Sequence, residues 1–156
     1  MPCAFFAPMV MTIHTEMAAR HVQTLAEDMP YLLAGDWNIK PCGSSYRLLT
    51  TGMMDEGDPE WPTPMHGMEW RPTAKAMRSA YAESEHGEPD FTNYARVKFD
   101  EPFIDTLDYI FCSDQWKVMD VKPLPHRDEL GGPIPNLDHD EPSDHILIRA
   151  DFKLDS

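Results

Sequence analysis

The stretch that most limits what this chain can fold into runs from Thr12 to Pro41. Ala18, Val22 and Leu25 recur at i, i+4 and i+7, with Arg20, Gln23 and Glu27 away from that stripe, which predicts a helix from Thr12 to about Glu27. Thr12 or Thr15 is placed to cap it. Pro30 stops that helix, and Tyr31 to Ala34 is a short continuous apolar run of the kind buried strands show. A helix feeding directly into a buried strand is α/β grammar. The strand then ends abruptly in Gly35-Asp36, with Asn38 two residues further on. At 156 residues there is chain enough for one domain with a real core.

Ser44 or Ser45 is placed to cap a short helix through Tyr46, Leu48 and Leu49, and Gly52 would end it. Met53 to Thr73 is rich in Pro, Gly and acids and reads as a long loop, with Trp61 and Trp70 anchoring it to the body. Thr73 to Ala82 predicts another helix. Strands are expected at Phe91–Tyr94, Thr106–Cys112 and Trp116–Val121, the last two joined as a hairpin by Asp114-Gln115. Lys122 to Pro142 forms a second Pro- and Gly-rich loop, and Ile146 to Phe152 alternates as a closing strand.

Polar residues stand at the edges of three of the strand candidates: Asp36 and Asn38 in GDWN, Asp108 in TLDYIF, Asp144 and His145 in PSDH. Strand ends are where the loops of an α/β fold converge on ligands. Acids, an amide and one His meeting there suit metal-assisted phosphoryl hydrolysis. Carboxylates hold Mg²⁺, His145 can activate water near neutral pH, a buried acid can fix its tautomer, and Asn38 can donate to a phosphate oxygen. Taken singly, each piece is weak, because Gly, Asp and Asn are ordinary turn formers. Their order along the chain gives them weight.

Charge narrows the substrate. Acidic residues outnumber basic ones 27 to 13, for a net charge of −14, which disfavours duplex DNA as a partner. Cys3, Cys42 and Cys112 fit no disulfide or zinc pattern, so a reducing, cytoplasmic setting is expected, with the nucleus as alternative. No apolar run approaches the roughly 20 residues of a membrane span. His14 and His21 lie seven apart, where a metal pair would prefer i, i+4. His139 belongs to the acid-rich loop beside His145 and not to a metal box.

AGDWNIKP, SAYAESEHGEPDFTNY, FIDTLDYIF and PSDH, in this order, resemble the endonuclease/exonuclease/phosphatase superfamily, and within it the deadenylase-like branch with nocturnin and the Angel proteins. The Arg20-x-x-Gln23-x-Leu25 helix fits as well. The resemblance covers residues 1–156 but only the C-terminal half of the family domain. It implies an α/β sandwich, part of a four-layer αββα fold whose N-terminal half lies outside this sequence. It implies that Asp36 orients the attacking water, Asn38 contacts the scissile phosphate, Asp108 orients His145, and His145 is the catalytic histidine. Asp144 would stand by a metal or its water, and Phe103 would stack on a base, with core packing as its ordinary alternative. Trp37 stands where the family has Phe or Leu. The family's Asn and metal-binding Glu precede the segment that this sequence holds, so Mg²⁺, or Mn²⁺ in its place, is expected to bind poorly.

The function expected is a Mg²⁺-dependent phosphodiesterase or exoribonuclease acting on a single-stranded RNA 3′ end or a nucleotide phosphate. Two alternatives stand beside it: an inactive remnant or interaction module, and a phosphatase of small molecules such as a dinucleotide or sugar phosphate.

Overall fold

The first helix begins earlier than its periodicity suggests. In the computed structural model, which describes residues 1, 6–96, 100–135 and 142–155, α1 spans Pro8–Ala26 and opens on a proline whose missing N–H costs nothing there. Thr12 and Thr15 are therefore buried within the helix instead of capping it. The buried stripe is Met11, Thr12, Thr15, Glu16, Ala19 and Ala26, while Leu25 of the expected stripe stays 67% exposed. Polar recognition of a neighbouring segment explains the rotation. The Glu16 carboxylate accepts from the Thr73 amide at 3.1 Å and the Thr73 hydroxyl at 2.9 Å. Gln23 accepts from the Lys75 amide and donates to the Lys75 carbonyl, both at 2.8 Å. A side-chain amide that matches both groups of one peptide acts like a strand partner.

That clamp also explains why residues 73–82 are not the helix their composition predicts. The segment holds no helix: Arg78–Ser79 forms β2, and residues 80–82 form a turn. The Met77 amide donates to Leu49 and the Ala80 amide to Ile110. Tertiary partners for the backbone outweigh a weak local propensity.

Strand β1, Leu32–Asp36, and β2 flank β5, Asp108–Cys112, in an antiparallel sheet of order β1-β5-β2. The apolar run expected to be buried is thus an edge strand with Leu32 43% exposed. Next to this sheet, β3, Asn93–Ala95, pairs with β4, Phe103–Asp105. The expected strand Thr106–Cys112 begins only at Asp108. The hairpin expected around Asp114-Gln115 does not form. The turn is there, with the Trp116 amide on the Ser113 carbonyl at 3.2 Å, but the chain crosses to another sheet. Trp116–Val121, β6, pairs with β7, Ala150–Leu154, which begins four residues later than the alternation from Ile146 suggests. A short 3₁₀ helix, Arg127–Glu129, interrupts the second long loop.

Helix α2, Ser44–Thr51, ends as expected at Gly52, whose φ of +70° is a left-handed conformation that favours glycine. Its N-cap is Gly43, and neither serine caps it. The first long loop is packed: Trp61 and Trp70 meet edge to face at 4.9 Å. Asp58 ties it to α2 by accepting from Ser44 and Arg47. Cys3 and His139 lie outside the described residues. No described helix is long and apolar enough to cross a membrane.

The main core gathers Met11, Trp37, Ile39, Leu49, Met77, Tyr109 and Phe111. Phe111, fully buried on the central strand, takes the edge of Trp37 at 5.4 Å and stacks on Tyr109 at 5.3 Å. Phe111→Ala should destabilise the chain by about 3–5 kcal/mol. Urea unfolding measures this, and a loss below about 1 kcal/mol would show that the cluster is not the core.

Candidate functional site

The GDWN turn solves a steric problem. Trp37 must enter the core, where it is 3% exposed, while Asp36 and Asn38 on either side remain at the surface end of the strand. Gly35 adopts φ +144° and Asn38 the left-handed φ +52° that Asn tolerates better than most residues. The Trp37 amide is fixed to the Leu107 carbonyl at 2.8 Å. Both Asp36 oxygens then accept from Asn38, Oδ1 from its backbone amide at 2.8 Å and Oδ2 from Nδ2 at 3.0 Å. Asn38 Nδ2 also donates to the Met1 carbonyl at 2.8 Å.

Antiparallel register places Asp36 directly opposite Asp108. Two carboxylates across a strand pair repel unless each has its own donors. Asp36 has the Asn38 amides. Asp108 has two others on one oxygen: Oδ2 lies 2.7 Å from the Thr92 hydroxyl and 2.7 Å from His145 Nδ1.

Thr92, buried to 0% exposure, is a residue that sequence reasoning passed over inside FTNY. Its oxygen accepts from the Leu107 amide at 2.9 Å and the Asp108 amide at 3.0 Å. With both lone pairs engaged, its one proton must go to Asp108. An ionised Asp108 can only accept, so the contact has His145 donating from Nδ1; in a neutral ring that arrangement makes Nε2 the nitrogen able to take a proton. A buried threonine directly after an Asp-Phe pair carries no motif of its own; only the fold brings it to Asp108.

His145 arrives on an irregular segment that behaves as a strand beside β3. Asn93 and His145 form an antiparallel bridge, the Ile146 amide donates to Thr92 at 2.8 Å, and the Tyr94 amide to Asp144 at 2.9 Å. Asn93 Nδ2 also donates to the Asp144 carbonyl at 3.0 Å. Asp144 thus seats the PSDH segment through its backbone. The Ser143 hydroxyl accepts from the His145 amide at 3.1 Å and shapes the turn that delivers the ring.

Of the expected residues, Asp36, Asn38, Asp108 and His145 are brought together by these contacts, with Asp144 next along the chain. Phe103 stands apart on β4, 42% exposed, with the Lys40 ammonium 5.3 Å from its ring centre. No group of three or more His, Cys, Asp or Glu side chains among the described residues stands ready for a metal ion. Asp36 is engaged by Asn38, and Oδ2 of Asp108 by Thr92 and His145.

The approach to Thr92 is held by Asp90, whose carboxylate receives Arg127 Nε and Nη2 as well as the Arg127 amide, at 2.6 to 3.0 Å. The guanidinium hydrogen bonds hold the Asp90 pKa down at about 2, from an ordinary value of 3.8. Close by, burial raises the pKa of Glu88, which accepts from the Tyr46 hydroxyl at 2.6 Å.

A family model described as the Endonuclease/Exonuclease/phosphatase family matches residues 9–145. Mouse 2′,5′-phosphodiesterase 12 is 30% identical over 148 residues, covering 90% of this chain and 23% of the relative. Carbon catabolite repressor protein 4 homolog 4 of Arabidopsis thaliana is 35% identical over 127 residues, covering 79% of this chain and 27% of the relative. The chain spans about a quarter of the length of these curated relatives. Among solved structures, ANGEL2, a 2′,3′-cyclic phosphatase in complex with adenosine-2′,3′-vanadate, superposes with a TM-score of 0.68 at 18% identity, over 100% of this chain and 55% of that one. The human nocturnin catalytic domain with bound sulfate gives 0.57 at 18% identity, over 93% of this chain and 41% of that one. These likenesses show the fold: mixed α/β with several antiparallel sheets.

The depressed Asp90 fixes a pH dependence. A carboxylate held low stabilises the fold above its unfolded pKa and loses that contribution as pH falls through its folded pKa. The stability gap between wild type and Arg127→Ala should be constant above about pH 5 and close progressively toward about pH 2. Urea unfolding across that range measures it; a gap that widens on acidification would contradict the assignment.

Proposed function

The chain belongs to the Endonuclease/Exonuclease/phosphatase family, and from that premise we propose that it carries the hydrolytic half-site of a phosphodiesterase acting on single-stranded RNA 3′ ends or on a nucleotide phosphate. The observation that supports this reading is the shared Asp108 oxygen, which engages His145 at Nδ1 and so turns Nε2 toward the role of base. Relatives named as a 2′,5′-phosphodiesterase and as the 3′-5′-exoribonuclease subunit Ccr4 support the reaction class. The acid surplus favours a single-stranded or small substrate over a duplex.

In this reading water attacks phosphorus in line with the leaving oxygen. Asp36, whose oxygens each keep a spare lone pair beside the Asn38 donors, accepts a hydrogen bond from that water and aims it. Asn38 Nδ2 exchanges the Met1 carbonyl for a phosphate oxygen, so that its donor meets charge as it builds. His145 Nε2 takes a proton or, when protonated, donates to a phosphate oxygen, and Asp108 offsets the imidazolium charge. Magnesium, or manganese in its place, belongs to the proposal through the family alone. A cytoplasmic or nuclear setting accords with an RNA substrate.

Hydrolysis of a 3′-oligoadenylated RNA by the wild-type chain and by His145→Ala tests the reading. His145→Ala should lower the rate by between about a hundredfold and ten-thousandfold. Equal, near-zero rates in both would favour the inactive remnant or interaction module instead.

A further inference from the structure

Lys40 sits in the same turn as the candidate site, two residues beyond Asn38, and its side chain is 53% exposed. Its ammonium is 2.6 Å from Asp105 Oδ2 and 5.3 Å from the centre of the Phe103 ring. Stability of the fold accounts for neither contact. An exposed ion pair is worth about 0–1 kcal/mol, and a phenyl ring left 42% in water gains only part of its burial energy. The pair is better placed than it is stabilising. Asp105 lies opposite Asn93 across β3 and β4, and Asn93 in turn bridges to His145. Asp105, which holds Lys40, therefore stands one strand away from His145, and Phe103 lies two residues from it along β4.

On its other side Lys40 borders a cleft of about 210 Å³ that Asn38, Pro8, Met11 and Gly43 also line. Lys40 is the one basic residue among the described residues lining it, and Glu60 is the acid. In a chain of net charge −14, an approaching polyanion meets repulsion nearly everywhere. Lys40, although paired with Asp105, puts an ammonium between an exposed aromatic ring and a cleft that Asn38 also lines. A base can stack on such a ring, and a phosphate can meet such an ammonium.

We infer that Lys40 is a substrate-positioning residue: Asp105 holds its ammonium beside Phe103 so that it binds the phosphate next to the nucleoside stacked there. This rests on the phosphodiesterase reading above and adds to it a side chain that the family motifs do not mark. A lysine here acts as a point charge on one phosphate oxygen, so arginine can replace it where alanine cannot.

The test is equilibrium binding of a short, fluorescently labelled oligoadenylate with phosphorothioate linkages, in EDTA, at salt concentrations from about 50 to 200 mM. Lys40→Ala should weaken binding about tenfold, the scale of one charge-assisted hydrogen bond. It should also reduce the slope of log affinity against log salt by about 0.7, the loss of one single-strand phosphate contact. Lys40→Arg should stay within about threefold of wild type. Both variants are exposed changes, and urea unfolding should show little loss in either. Wild-type binding with affinity and salt slope unmoved by Lys40→Ala would overturn the inference while leaving the phosphodiesterase reading standing. A weakening shared by alanine and arginine, with the slope unchanged, would reduce Lys40 to a structural tie and overturn it equally. A wild-type chain that binds no oligomer would overturn both.

Discussion

One carboxylate oxygen, Asp108 Oδ2, connects everything that gives this chain a candidate chemistry. It receives Thr92 from β3's leading edge and His145 from a segment more than thirty residues downstream, each at 2.7 Å. Neither partner is adjustable. Thr92 is fully buried, and its lone pairs hold the two amides that begin β5. His145 is set by the bridge to Asn93 and by Ser143 beneath its own amide. A buried hydroxyl with every valence committed cannot rotate away, so its proton is directed at Asp108 and the carboxylate is held where it meets the histidine.

The same register that makes the site also makes it costly. Antiparallel pairing sets Asp36 against Asp108, a like-charged pair across two strands. The chain manages this by giving each acid separate donors, the Asn38 amides on one side and Thr92 with His145 on the other. The left-handed Asn38 follows from that arrangement: its backbone must curl back to reach Asp36 while Trp37 turns inward against Phe111. Core packing and site geometry are thus one constraint, because the buried indole sits between the two exposed polar side chains. Trp37 is accommodated as an edge-to-face partner in that core.

Much of this was legible in the sequence wherever a local signal was strong. The GDWN turn, the Gly52 helix end and the β6 segment all follow from punctuation by glycine, proline and alternating residues. The meeting of Asp36, Asn38, Asp108 and His145 follows from motifs in a fixed order. What stayed hidden is non-local. Residues 73–82 have a helix former's composition, yet Gln23 and Glu16 hold them out of a helix from another element. The turn at Asp114-Gln115 looks like a hairpin, but β6 finds its partner in β7. Thr92 could not be singled out, since nothing about a threonine in FTNY announces the acid it faces. Periodicity misplaced the buried face of α1 for the same reason: that face reads polar groups on its neighbour as well as apolar ones.

The central claim is that Asp108 holds neutral His145 with its proton on Nδ1. Long-range ¹H–¹⁵N correlation of the His145 ring, recorded above its titration on the wild-type chain and on Asp108→Asn, tests this most directly. The account predicts a protonated, pyrrole-type Nδ1 and an unprotonated Nε2 in wild type, with that preference lost in the variant. A wild-type ring protonated on Nε2, or a pattern unaltered when Asp108 becomes an amide, would contradict it.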